Sequence, residues 1–189
     1  MKVNGKIGTI IFLGIGSNKG DRVKNLENAL SLINSNVGEI LSISYVYETE
    51  PWGFESNNKF LNMVAKVNTY LSPFVLMKKL QAIEIRLGRT RSLTRYTSRS
   101  IDIDILFYGS RIIRERMLTV PHPLITDRKF VLVPLCDIAP EGVHPVLRKT
   151  FSELLIECAD SGCVRKYEIG EIKGWNRQSG EVETENAVR

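Results

Sequence analysis

Between Arg86 and Asp104 the chain carries five arginines and two aspartates, with no lysine and no glutamate. In RSIDIDILFYG, Ile101, Ile103 and Ile105 alternate with Asp102 and Asp104. Period-two alternation predicts a β-strand with its isoleucine face buried. Both carboxylates then share the other face, roughly 6.6 Å apart along the chain. Aspartate is depleted in strands, and two carboxylates facing one way repel unless a positive group lies between them. Hard carboxylate oxygens suit Mg²⁺, which takes one or two of them and fills its shell with water and phosphate. A pair on one strand face suits two such ions in phosphoryl chemistry.

The preceding stretch, RLGRTRSLTRYTSR, supplies guanidinium groups. Their planar fork binds phosphate oxygens bidentately, which lysine cannot do. Read separately, D-x-D also describes two solvated acids, and the arginines a solvated loop or a nucleic-acid patch. Their adjacency favours a polyphosphate held between metal and guanidinium. Small polar residues and mutually repelling arginines make Gly88–Arg99 a candidate lid.

Three further stretches add to this. EPWGFESNNKFLN brings Trp52, Phe54 and Phe60 close to Asn62. A flat heterocycle needs such a stacking face and an amide to read its edge. By itself the segment reads better as core aromatics plus a turn asparagine. LTVPHPLITDRKF places His122 between prolines and adds Arg128 and Phe130. GIGSN, at Gly14–Asn18, is neither a Walker loop nor a dinucleotide fingerprint and reads as a turn.

These residues need a scaffold. Ile7–Leu13 reads as a strand buried on both faces, followed by a loop over 14–21. Asp21 then caps a helix whose stripe is Val23, Leu26, Leu30 and Ile33. Strands are expected over Ile40–Glu48 and Phe60–Thr69. Ser72-Pro73 opens a second helix ending at Gly88. The aspartate strand runs Ile101–Tyr108. Val131, Leu135 and Ile138 suit a helix that Pro134 interrupts. Thr150–Glu153 is a capping box before Leu154. The order β-α-β-β-α-β is the split βαβ, or ferredoxin-like, pattern. The fold class is α+β, with a mainly antiparallel sheet packed by helices. We expect one domain over residues 1–165 and a polar, poorly ordered tail over 166–189.

Bulk properties agree. The chain has 189 residues, 43% of them hydrophobic, and a formal net charge of +5. The charge is compatible with a phosphate-bearing small molecule, nucleic acid or an anionic membrane, and by itself describes a mildly basic soluble protein. Three cysteines, Cys136, Cys158 and Cys163, form no C-x-x-C pair. Inert thiols in a reducing cytoplasm are therefore expected, in preference to a disulfide framework or a zinc site with His144. No run is long enough to span a membrane.

Together, GIGSN, YETEPWGF with FLNMV, QAIEIRLGRTR, RSIDIDILFYG, LTVPHP and DRKFVLVPLCDIAP resemble one family. It is the 6-hydroxymethyl-7,8-dihydropterin pyrophosphokinase family of folate biosynthesis. The resemblance spans about Ile10–Pro140, in the family's order. It implies transfer of diphosphate from ATP to the pterin hydroxymethyl group, with AMP as the other product. It further implies two Mg²⁺ ions on Asp102 and Asp104, and Arg89 and Arg99 holding the triphosphate near the transferred group. Gln81, Glu84, Ile105, Thr119 and His122 match positions lining the nucleotide site, and Arg128 joins them. Phe60 and Phe130 match the rings that sandwich the pterin, Thr49 and Asn62 its polar readers, and Trp52 a backbone contact. Phe60 replaces a tyrosine common in the family, Tyr96 a tryptophan and Pro123 a tyrosine. Met117 stands where arginine can occur, with Arg116 adjacent. The expected partners are ATP and the pterin, with no nucleic acid, no membrane and a monomeric chain.

Two other classes compete. A nucleotidyltransferase would keep its Gly-Ser loop close to D-x-D in sequence, whereas Ser17 and Asp102 lie far apart. A ferredoxin-like RNA-binding module would carry aromatic residues on the strand where this chain places acids.

Overall fold

The computed structural model describes residues 2–3, 6–53, 56–89 and 99–168. Two short strands, β1 (Lys2–Val3) and β2 (Lys6–Ile7), pair with each other. The body follows as β3 (Thr9–Ser17), α1 (Arg22–Asn36), β4 (Gly38–Ile43), β5 (Tyr47–Thr49), β6 (Phe60–Thr69), α2 (Pro73–Arg86) and β7 (Asp102–Tyr108). A hairpin of β8 (Ile113–Glu115) and β9 (Leu118–Val120) leads to α3 (Lys129–Ile138), α4 (Phe151–Glu157) and β10 (Val164–Lys166). The sheet order is β10-β5-β6-β3-β7, with β4 also on β6, and every pairing is antiparallel. This is the ferredoxin-like α+β arrangement that the sequence predicts.

Several elements differ in detail from the sequence reading. Strand β3 continues through Gly14–Ser17, so the expected loop starts only at Asn18. The single strand expected over Ile40–Glu48 is broken into β4 and β5. Polar side chains support the break. The Ser44 hydroxyl accepts from Val64 N–H at 2.9 Å and donates to the Tyr45 carbonyl at 2.7 Å, while Tyr45 N–H donates to Asp137 at 3.1 Å. Helix α3 continues through Pro134, which is buried beside Leu132 and Leu135. The capping box at Thr150 and Glu153 forms as expected. Strand β10 holds Lys166 in the sheet, across the expected tail boundary, and residues 169–189 lie outside the described residues.

Strand alternation sorts the sheet into two faces. One carries Ile11, Leu13, Ile15, Leu61, Met63, Ile101, Ile103 and Ile105, packed under α1 and α2 in the larger core. The other carries Phe12, Val64 and Leu106, joined by Phe107 where the β3–β7 register shifts between Phe12 and Leu13, packed under α3 and α4. Those two helices cover only one end of that face. Gly14, Gly16, Asn62, Asp102 and Asp104 occupy the other end, in the wall of a cleft.

Candidate active site

The cleft has a volume of about 770 Å³. Its wall includes Gly14 and Gly16, inside a strand and not in a turn. Gly16 sits between Asn62 of β6 and Asp102 of β7 in strand register. A Cβ at position 16 would lie 2.7 Å from the Asn62 Oδ1, and one at position 14 would lie 3.3 Å from Leu106. Glycine keeps this part of the wall low, so a ligand can approach the backbone.

At one end the side chains are charged. Asp102 is gripped by Arg89 Nη1 at 2.8 Å and Arg99 Nη1 at 2.7 Å. Arg89 also pairs with Glu84, whose carboxylate accepts from Ile103 N–H at 2.8 Å. Asp104 lies 3.5 Å from Arg128 Nη1 and 3.9 Å from His122 Nε2. His122 Nδ1 accepts from Leu124 N–H, which leaves the ring proton on Nε2. Burial, reinforced by Arg128, lowers this imidazole's pKa to about 4, so it is neutral. Its contact with Asp104 is therefore not an ion pair. Desolvation and then the Asp102 charge hold the Asp104 carboxyl above its ordinary range, against the pull of Arg128, Arg99 and Arg89. Burial likewise raises Glu84, against the pull of Arg89.

The GIGSN residues anchor this end. Ser17 Oγ donates to the Ser100 carbonyl at 2.6 Å, and Asn18 Oδ1 accepts from Arg99 N–H at 2.7 Å. Asn18 N–H donates to the Arg99 carbonyl at 3.2 Å. Both side chains are buried. Their sequence predicts a turn, which the structure replaces with the end of β3 and the first loop residue after it. The available signal was two small polar residues directly following an apolar strand.

At the other end the groups are aromatic and neutral. Asn62 Nδ2 donates to Thr49 Oγ1 at 2.8 Å, and both residues are buried. Phe60 opposes Thr49 in strand register and lines the same cleft. Trp52 and Phe130 approach with ring centroids 6.4 Å apart. The Arg128 guanidinium lies 5.0 Å from the Trp52 centroid and 5.7 Å from that of Phe130. Its buried Nε has no hydrogen-bond partner among the described residues. Arg128 thus links the aromatic end to Asp104. Gln81, Ile105 and Thr119 line the cleft as well, beside Arg116 and the exposed Met117. All fifteen site residues singled out from sequence therefore line this one cleft. Arg91, Arg95 and Tyr96, and with them the expected lid closure over residues 90–98, lie outside the described residues.

A cation fits the charged end. Asp102 and Asp104 offer hard oxygens, and the Asp104 side chain is 41% exposed toward the cleft. Among the described residues no third acid, histidine or cysteine completes a metal cluster. Mg²⁺ needs no more, because water and substrate phosphates fill its remaining positions.

A ferredoxin-like sheet thus brings a carboxylate pair, guanidinium groups and an aromatic slot into one cleft. Residues 12–140 match the family model described as 7,8-dihydro-6-hydroxymethylpterin-pyrophosphokinase (HPPK). A 2-amino-4-hydroxy-6-hydroxymethyldihydropteridine pyrophosphokinase from Aquifex aeolicus is 41% identical over 143 residues, covering 76% of this chain and 88% of that protein. The protein of the same name from Porphyromonas gingivalis is 44% identical over 139 residues, covering 72% and 94%. The chain belongs to the 7,8-dihydro-6-hydroxymethylpterin-pyrophosphokinase family. A folic acid synthesis protein from Dictyostelium discoideum is 38% identical over 153 residues, which make up 81% of this chain but only 23% of that longer protein. Among solved structures, an HPPK-DHPS in complex with substrates matches the fold with a TM-score of 0.69 at 18% identity. That match covers 80% of this chain and 43% of the other, so the chain spans less than half of the solved protein.

Proposed function

We propose that this enzyme transfers diphosphate from ATP to the hydroxymethyl group of 6-hydroxymethyl-7,8-dihydropterin. The pterin alcohol oxygen attacks the β-phosphorus in line. The bond from that phosphorus to the α–β bridging oxygen breaks, AMP leaves with the oxygen, and the alcohol proton passes to solvent. The observation that carries this reading is the row Asn62–Gly16–Asp102 across three strands, which joins an amide suited to a heterocycle edge to a carboxylate suited to a metal.

Phe60 and Phe130 stack on the pterin, Thr49 and Asn62 read its edge, and the backbone at Trp52 adds a contact. Gln81, Glu84, Ile105, Thr119 and His122 line the nucleotide side. Arg89, Arg99 and Arg128 neutralise the phosphates. Asp102 and Asp104 would hold two Mg²⁺ ions, which would supply Lewis-acid stabilisation of phosphate charge. The remaining rate enhancement is positioning and fixed electrostatics, as in other phosphoryl transfers. Arg89 and Arg99 rest on Asp102 and Arg128 lies beside Asp104, so the guanidinium groups that would pair with phosphate stand next to the carboxylates that would hold metal. The reading treats residues 1–165, completed by the rest of β10, as the catalytic domain, acting as a monomer in the cytoplasm.

Incubation with ATP, Mg²⁺ and the pterin, followed by mass analysis, tests it. Pterin diphosphate and AMP are the expected products. ADP with a pterin monophosphate, or no pterin product, would overturn the assignment.

A further inference from the structure

Arg22 has no role in the chemistry above, and its position is unusual. It is the first residue of α1, in a first turn with no acidic residue. A cation at a helix N-terminus opposes the helix dipole, an opposition that the Asp21 cap directly beside it offsets in part. The Arg22 side chain has partners of its own. Nη1 donates to Glu48 Oε1 at 2.9 Å and to the Lys59 carbonyl at 3.0 Å. Glu48 directly precedes Thr49, and Lys59 directly precedes Phe60. These are the two feet of the loop between β5 and β6, the loop that carries Trp52.

The other side of the guanidinium meets the C-terminal segment. Tyr167 lies under it, with 5.6 Å from Arg22 Cζ to the ring centroid. Tyr167 N–H donates to the Val46 carbonyl at 2.8 Å. Just before it, β10 pairs Val164 with Thr49, Arg165 with Glu48 and Lys166 with Tyr47. The three-residue β5 is thus held on both edges and is not left as an exposed edge strand. Tyr167 and β10 lie beyond residue 140, where the family match ends.

We infer that Arg22, backed by Tyr167, is a positioning residue that staples the two feet of the β5–β6 loop and so fixes Thr49 and Phe60 for the heterocycle. The inference rests on the pterin reading above. The staple touches neither the carboxylates nor the arginines of the charged end, so its effect should fall on one substrate.

Steady-state kinetics test this, varying the pterin at saturating ATP and then ATP at saturating pterin. Arg22→Ala should raise the KM for pterin by about fivefold or more. The KM for ATP and kcat should stay within about twofold. Arg22→Lys keeps a cation able to reach Glu48 and should recover most of the loss. Tyr167→Leu keeps the packing and removes the cation–π contact, so it should show a smaller rise of the same kind. Should Arg22→Ala fail to fold, Tyr167→Leu and Arg22→Lys carry the same comparison. An unchanged pterin KM, or a parallel loss in both substrates that lysine does not rescue, overturns the staple. A wild-type enzyme that turns over ATP but not this pterin sinks the reading beneath it, with the inference.

Discussion

The two ends of the cleft satisfy their polar groups in opposite ways. At the charged end, Asp102, Asp104 and Glu84 lie among Arg89, Arg99 and Arg128, so acids and bases neutralise one another. On the proposed reading, the contacts on Asp102 and Asp104 would give way to metal and phosphate. At the aromatic end, Asn62 and Thr49 bond each other, and that bond can persist while the amide's remaining donor and acceptor sites meet a ligand. One end is a set of exchangeable partners, and the other is a preformed slot. Ionic partners trade well because the Coulomb gain is large on both sides of the exchange, whereas a neutral edge gains most from not moving.

The largest expected effect breaks the first half of this contrast. Asp102→Asn or Asp104→Asn should lower kcat by about a thousandfold or more, because a carboxylate no longer helps to hold charge-stabilising metal. Circular dichroism should show the fold retained. Near-wild-type turnover at ordinary Mg²⁺ in either variant would remove the metal assignment.

The next effect tests the other half. Phe130→Ala and Asn62→Ala should each weaken pterin binding by about tenfold or more, from lost stacking and an unmatched edge. ATP affinity, measured alone by calorimetry, should barely change. Equal weakening of both ligands would mean that the aromatic end is scaffold.

A smaller effect sharpens the contrast by stepping outside the cleft. Thr150→Ala removes the capping box of α4 and should cost about 1 kcal/mol of stability. Both KM values should remain unchanged. A shift in either would show that the α3–α4 layer reaches into the site.

The smallest concerns pH. His144 is buried against Phe107, and its Nδ1 accepts from Val146 and Leu147 N–H at 3.2 and 3.1 Å. Burial lowers its pKa from 6.5. A histidine depressed in the fold binds more protons when unfolded, so its contribution is present above pH 6.5 and is lost as the pH falls below it. His144→Asn, which keeps an acceptor but cannot titrate, should lose less stability than wild type between about pH 7.5 and about pH 5.5. Equal losses in denaturant midpoints would exclude His144 as a contributor.

The sequence displayed the chemistry more fully than the architecture. The aspartate alternation, the arginine run and the aromatic-plus-amide stretch each announce themselves by residue type, and Asp102, Asp104, Arg89, Arg99, Trp52, Phe60 and Asn62 from them line one cleft. The α1 and α4 starts were legible because caps are local. What was hidden depends on partners distant in sequence. Ser17 and Asn18 acquire their role only because Arg99 and Ser100 return beside them, some eighty residues later. The split of β4 from β5 depends on Asp137 of α3, and β10 is three residues that become a strand only by adding to β5. The continuation of β3 through two glycines opposed local propensity, and the sheet overrode it.

The row from Asn62 through Gly16 to Asp102 also acts as a gauge. Neighbouring strands stand about 4.8 Å apart, so two spacings separate the backbone at position 62 from that at position 102 by roughly 9.6 Å. Backbone hydrogen bonding, the least mutable part of the chain, thereby sets the interval between the strand positions that the proposed reading gives to the pterin and to the phosphates. Substitutions in β5, β6 or the loop between them can alter which flat ring is accepted without altering that interval. A side chain at position 16 would leave the interval intact and obstruct the span itself.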